Sequence, residues 1–115
     1  MPFDRGDVVV VLFPDSNLRT AKRRPALVVQ ADRLQTGLPQ TIVAMISSNM
    51  ARAGHPSRVA VLHASPESKQ MGLHTDSVIV TDNLATVLEQ EIDRTIGHCP
   101  DMSAVDAALR HTLGL

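Results

Sequence analysis

The chain has 115 residues, of which 43% are hydrophobic and 20% charged, with a formal net charge of −1. That balance is ordinary for one folded domain and too apolar for disorder, so residues 1–115 are expected to form a single domain. The neutral total hides an asymmetry, because residues 1–62 carry eight Lys/Arg against four Asp while 63–115 carry three against eight Asp/Glu; a general nucleic-acid-binding coat is excluded and a local basic site in the first half is favoured. No apolar run approaches the roughly 18 residues of a membrane span, and Met1 to Arg5 lacks the composition of a signal peptide. The single Cys99 excludes an internal disulfide and fits a reducing compartment, so a cytoplasmic location is expected.

In chain order, Gly6-Asp7 is a turn signal and Val8 to Phe13 a β-branched run stopped by Pro14-Asp15-Ser16-Asn17, which predicts a first strand and a loop. The loop carries Arg19, Lys22 and Arg23 into a second strand, Arg24 to Gln30, with Pro25 expected at the strand's start, where a missing N–H is tolerated. Residues 31–40 read as a connection with room for a helical turn, Thr41 to Ser47 as strand three and Ser57 to Leu62 as strand four. Residues 64–72 read as a surface turn, Asp76 to Val80 as strand five closed by Thr81-Asp82-Asn83, and Ile92 to Ile96 as a weak strand. The apolar spacing of Val105, Ala108 and Leu109 predicts a C-terminal amphipathic helix from Met102 to Leu113, ended by Gly114. Without crossover helices the strands cannot form a parallel βαβ array; a small antiparallel barrel or half-open sheet packed by the last helix is the economical solution.

Four of the eleven Lys and Arg residues fall within Arg19 to Arg24. Such a cluster is read either as a solvated loop or as a phosphate site, since a guanidinium fork matches phosphate oxygens and stays charged. Arg24, Ser47 and Asp82 each stand at a predicted strand end, where a small barrel can bring them together. An arginine, a hydroxyl and a carboxylate are sufficient for RNA cleavage by the neighbouring 2′-hydroxyl: the carboxylate takes the proton while the other two stabilise charge on phosphorus-bound oxygens. Each also has a structural reading, as a solvated charge, a strand-end hydrogen-bonding group and a turn residue. The five histidines, at 55, 63, 74, 98 and 111, lack zinc-site pairing, so no metal and no cofactor are expected. No nucleophile elbow, phosphate-binding loop or dinucleotide fingerprint is present.

Arg5-Gly6-Asp7-Val8-Val9-Val10, Phe13-Pro14 and Lys22-Arg23-Arg24-Pro25-Ala26-Leu27-Val28-Val29 resemble the MazF/PemK (Kid) family, the toxins of bacterial type II toxin–antitoxin modules. The likeness continues through Ile42 to Ser48, Gly72 to Ile79, Asp82 to Val87 and the C-terminal segment. The resemblance implies an SH3-like antiparallel barrel with a C-terminal α-helix, a homodimer, and a metal-independent endoribonuclease of single-stranded RNA leaving a 2′,3′-cyclic phosphate. It further implies an acidic, partly disordered antitoxin as partner and no membrane association.

Carried over by position, the family's catalytic arginine falls on Arg24, its threonine on Ser47 and the Kid-branch carboxylate on Asp82. RNA contacts are expected from Arg19, Lys22, Arg23, Ser48, Asn49, Arg52 and His55, with Asn17 a further hydrogen-bonding candidate. The chain departs from the pattern at Ser47, which keeps the hydroxyl without threonine's methyl, and at Val80 and Ala85, where relatives carry arginine. The competing expectation is a non-enzymatic protein of the same fold, either a CcdB-like gyrase inhibitor or a catalytically decayed, antitoxin-binding homologue.

Overall fold

Alternation in the first apolar run organises the sheet. In β1 (Asp7–Pro14), Val9, Val11 and Phe13 enter one apolar cluster while Val8 enters another, as the period of two in a strand demands. The computed structural model describes residues 3–15 and 17–115, so Ser16, one of four residues expected to stop this strand, lies outside the described residues, as do Met1 and Pro2. The remaining elements are β2 (Ala21–Val28), β3 (Gln40–Ser47), β4 (Arg58–Val61), α1 (Pro66–Gln70), β5 (Ser77–Leu88), β6 (Ile92–His98) and α2 (Ser103–Leu113), with a 3₁₀ turn at Glu89–Glu91.

The six strands form one antiparallel sheet in the order β4-β5-β3-β2-β1-β6. The expected mainly-β architecture with a C-terminal helix is therefore present. The ladder is open, however, with β4 and β6 as its edges. One face carries Val8, Leu27, Ala44, Ile46, Val61 and Ile79, packed with Met71 after α1 and Val105 of α2. The other carries Val9, Val11, Phe13, Ala26, Val28 and Val43, with Val87 and Ile92. Neither helix contributes to this second cluster, yet its members are almost wholly buried, so the sheet curls over it.

Backbone contact links the region after α1 to the β6 edge. A Cβ placed on Gly97 would lie 2.5 Å from the Gln70 carbonyl oxygen and 2.6 Å from that of Met71. Gly72, at φ +71°, meets the Ile96 carbonyl group in the same way. Main chain thus rests on main chain at two successive points, a separation only glycine permits.

Several expected boundaries move. The strand expected at Arg24 to Gln30 is found at Ala21–Val28, so the cationic run is strand rather than loop. Asp82 and Asn83 do not end β5; the strand continues to Leu88 through a bulge, in which Met45 pairs with Val80 but the adjacent Ala44 pairs with Leu84. The turn expected over 64–72 contains α1, whose first turn is capped by the Ser65 hydroxyl accepting from Ser68 N–H. Residues 31–39 contain no helix, only a single turn in which Leu34 N–H donates to the Ala31 carbonyl at 3.2 Å. α2 ends as expected at Gly114, φ +72°, and Asp101 accepts from the Ser103 N–H at 2.9 Å at its start.

Candidate active site

Pro25 sits in the middle of β2, opposite Val10, rather than at its first position. The correction has a physical reason: β2 is paired on both sides only from Ala26 onward, where Ala26 faces Met45 and Leu27 faces Ala44. At Pro25, which has no N–H to donate, the ladder to β3 stops while the ladder to β1 continues. Extending the register two residues past Ala26–Met45 sets Arg24 opposite Ser47, on strands that no longer bond. The two side chains therefore face each other across a split in the sheet.

Two cavities open on this split and share Arg24, Ser47 and Ser48 in their walls. The first, about 650 Å³, has an apolar floor of Val10, Pro25, Ile46, Leu73 and Ile96 and a rim that includes Arg23, His74 and Arg94. The second, about 740 Å³, is polar and includes Asp15, Asn17, Thr20, Lys22, Asn49 and Asn83. A chain whose backbone crosses Arg24 and Ser47 would have one side against an apolar slot and the other against hydrogen-bonding groups.

Arg24 is half-buried and donates from Nη2 to Asp15 Oδ1 at 3.2 Å. Asp15 also accepts from Thr20 Oγ1 at 2.6 Å. The Thr20 hydroxyl first, and the Arg24 guanidinium with it, hold the Asp15 carboxyl below the usual carboxylate range. The Ser47 hydroxyl accepts from Asn49 N–H at 3.0 Å, which fixes its oxygen and leaves its own proton free to donate.

Asp82 does not join them. It lies in the β5 bulge and accepts both Nε and Nη2 of Arg58 at 3.1 Å, with Ser57 Oγ on Oδ1 at 3.2 Å. Arg58 is the main cause holding its carboxyl below the usual range, and burial opposes it. Its neighbour Asn83 turns the other way, lining the second cavity and donating towards Met45 Sδ at 3.6 Å.

Of the expected RNA contacts, Lys22, Arg23, Ser48 and Asn49 line the split, and so does Asn17. Arg19, Arg52 and His55 line neither cavity. Arg19 is exposed in the β1–β2 hairpin, where its N–H is tied to Asn17 Oδ1, and Arg52 is exposed in the turn after Asn49. His55 belongs with Asp82: its Nδ1 lies 2.7 Å from Ser57 Oγ, and its ring stands 6.0 Å from that of His111 on α2. Sequence reasoning missed Asp15, His74 and Arg94. The first reads as a turn residue, the second as one of five scattered histidines, and the third lies in a strand with weak alternation.

The chain matches the model of the PemK-like, MazF-like toxins of type II toxin–antitoxin systems over residues 4–113. It is 33% identical over 114 residues to Endoribonuclease EndoA of Bacillus subtilis (strain 168), covering 96% of this chain and 94% of that protein. It is 34% identical over 107 residues to Endoribonuclease MazF6 of Mycobacterium tuberculosis (strain ATCC 25618 / H37Rv), covering 90% of each. Its fold is similar to the crystal structure of MazF (Form-I) from Deinococcus radiodurans, with a TM-score of 0.73 at 19% identity over 98% of this chain and 97% of that one. A mycobacterial endoribonuclease in complex with its cognate antitoxin gives the same TM-score at 20% identity, over 98% and 96%. By its motifs, its open antiparallel sheet and the match along nearly its whole length, the chain belongs to the PemK-like, MazF-like toxin family of type II toxin–antitoxin systems.

Proposed function

We propose that the chain is a toxin acting as a metal-independent endoribonuclease on single-stranded RNA, with the scissile phosphate bound between Arg24 and Ser47. The observation that carries this reading is the split between β2 and β3, which sets a guanidinium and a donor hydroxyl across one opening. The 2′-oxygen attacks phosphorus, charge grows on the non-bridging oxygens, and Arg24 and Ser47 donate hydrogen bonds to it. The 5′-oxygen leaves, giving a 2′,3′-cyclic phosphate and a 5′-hydroxyl. Lys22 and Arg23 supply positive charge along the path, and Ser48, Asn49 and Asn17 offer hydrogen bonds to bases.

The relatives named as endoribonucleases support the reaction, and the relative crystallised with its antitoxin supports an inhibitory partner. That partner is an acidic, partly disordered antitoxin that covers the cationic split. The curled sheet supports an SH3-like barrel, used as one domain over the chain and paired as a homodimer. An RNA substrate of this kind places the protein in the cytoplasm.

Purified protein incubated with mixed-sequence RNA in EDTA tests the proposal. The wild type cleaves, and Arg24→Ala loses about 10²–10³-fold or more in rate, the scale for removing one donor to a developing oxyanion. The fold survives, because a single ion pair at the mouth of the split, screened by water, contributes little to stability. Wild-type cleavage retained by that variant overturns the assignment. No cleavage by the wild type across long RNAs supports the non-enzymatic alternative.

A further inference from the structure

Cleavage through the 2′-hydroxyl needs a group that accepts its proton, and Asp82, the expected acceptor, is occupied by Arg58 and Ser57 outside the split. The titratable groups lining the two cavities are few. The second cavity has Lys22, whose ammonium has only donors to offer, and Asp15, whose two oxygens are already committed to Arg24 and Thr20. The first has His74 among the arginines. Histidine is the side chain that ordinarily exchanges its proton between pH 5 and 8.

His74 is also held for such a task. The turn before β5 is tied on one side by Leu73, which is buried in the core and donates its N–H to the Ser68 carbonyl at 3.0 Å. On the other side Asp76 accepts from His63 N–H at 2.8 Å, and Ser77 is buried. Between those anchors the imidazole is exposed and makes no hydrogen bond to another described residue. The charged groups facing the same cavity are Arg23 and Arg24 from β2 and Arg94 from β6. Asp93 draws off two of them, lying 2.6 Å from Arg94 and 3.7 Å from Arg23.

We propose that His74 is the general base of the cleavage reaction, resting on the ribonuclease reading above. The neutral imidazole takes the proton of the 2′-hydroxyl as the 2′-oxygen–phosphorus bond forms. The phosphorus–5′-oxygen bond breaks with its electron pair leaving on the 5′-oxygen, which takes a proton from water. Arg24 and Ser47 hold the non-bridging oxygens on the cavity's other wall. The catalytic set is then an arginine, a serine and a histidine, with no carboxylate taking the proton.

The test is the pH dependence of initial cleavage rates from pH 5 to 8.5, in EDTA, on an RNA oligonucleotide spanning the strongest site found in mixed-sequence RNA. Wild type, His74→Ala, His74→Gln and, as a control outside both cavities, His63→Ala are compared. Wild-type kcat/KM rises about tenfold per pH unit on the acid side and then levels. His74→Ala and His74→Gln lower kcat by about 10²–10⁴-fold with KM nearly unchanged, and lose the rising limb. Added imidazole restores part of the rate to His74→Ala, whereas His63→Ala behaves as wild type. A His74→Ala protein that keeps the limb and the rate overturns the inference alone. A wild-type rate that falls with pH across this range also overturns it, because the group would then be donating a proton. Wild-type protein without cleavage overturns the ribonuclease reading, and the inference with it.

Discussion

Gly97→Ala isolates the contact between the β6 edge and the segment that ends α1. Gly97 has no positive φ, so alanine is not strained by its own backbone, and the effect comes from what the new methyl meets. The three atoms nearest to it are all main chain, the Met71 carbonyl carbon and the carbonyl oxygens of Gln70 and Met71, the oxygens at 2.5 and 2.6 Å against ordinary contact distances of about 3.5 Å or more. Swinging a side chain away cannot relieve these contacts, so the main chain of residues 70–72 must withdraw from β6 by about 1 Å. Overpacking of this kind costs about 1–3 kcal/mol, which for a domain of this size lowers Tm by about 4–15 °C. Gly54→Ala is the matched control, also without positive φ and with nothing within 4 Å of the added carbon; it should melt within about 3 °C of wild type. Thermal unfolding followed by circular dichroism reads both. Because Gly72 lies in the displaced segment, Leu73 and His74 follow it directly, and all three line the first cavity, RNA cleavage should fall in Gly97→Ala below the melting range as well. Equal melting of the two variants would refute the claim that this backbone contact carries stability.

Ser47→Ala should lower the cleavage rate by about 10²-fold through loss of one donor, while Ser47→Thr should cleave at least as fast as wild type because its methyl restrains χ1; assay on the same oligonucleotide checks both. Asp82, held below the usual carboxylate range by Arg58, contributes stability that is complete above the unfolded value of about 3.9 and is lost as pH falls through the lower folded value. Asp82→Asn should therefore lower Tm slightly at pH 7, by the equivalent of about 1 kcal/mol or less, and flatten its decline below about pH 4; melting curves from pH 2 to 7 measure this.

Unbroken apolar, largely β-branched runs make β1 and β3 legible, because burial on both faces of a sheet leaves a near-continuous apolar run. β2 begins three residues before its expected start because Lys22 and Arg23 signal a loop by their charge alone; in a hairpin arm open to water, charged side chains satisfy a strand as well as apolar ones do. Arg24 and Ser47 are legible as strand-end candidates and by family position, and the structure supplies why they face one another: Pro25 withholds the hydrogen that would have closed the strands. His74 carried no periodic signal, because its place is set by anchors on both sides of a turn. Asp82 stands at the family position but lies outside both cavities, paired with Arg58, and the sequence does not announce this because a bulge depends on which residues pair, and pairing is a property of two segments together.

That bulge makes the chemistry of the split a matter of counting. Three residues, Thr81 to Asn83, are interposed where the partner strand inserts none, and consecutive side chains leave a strand on opposite sides. Whether the acid or the amide of the Asp82-Asn83 pair enters the opening is decided by the parity of the insertion, not by either residue's identity. A lineage that gained or lost one residue there would exchange a neutral wall for an anionic one, and with it the tolerance for phosphate, without touching Arg24 or Ser47.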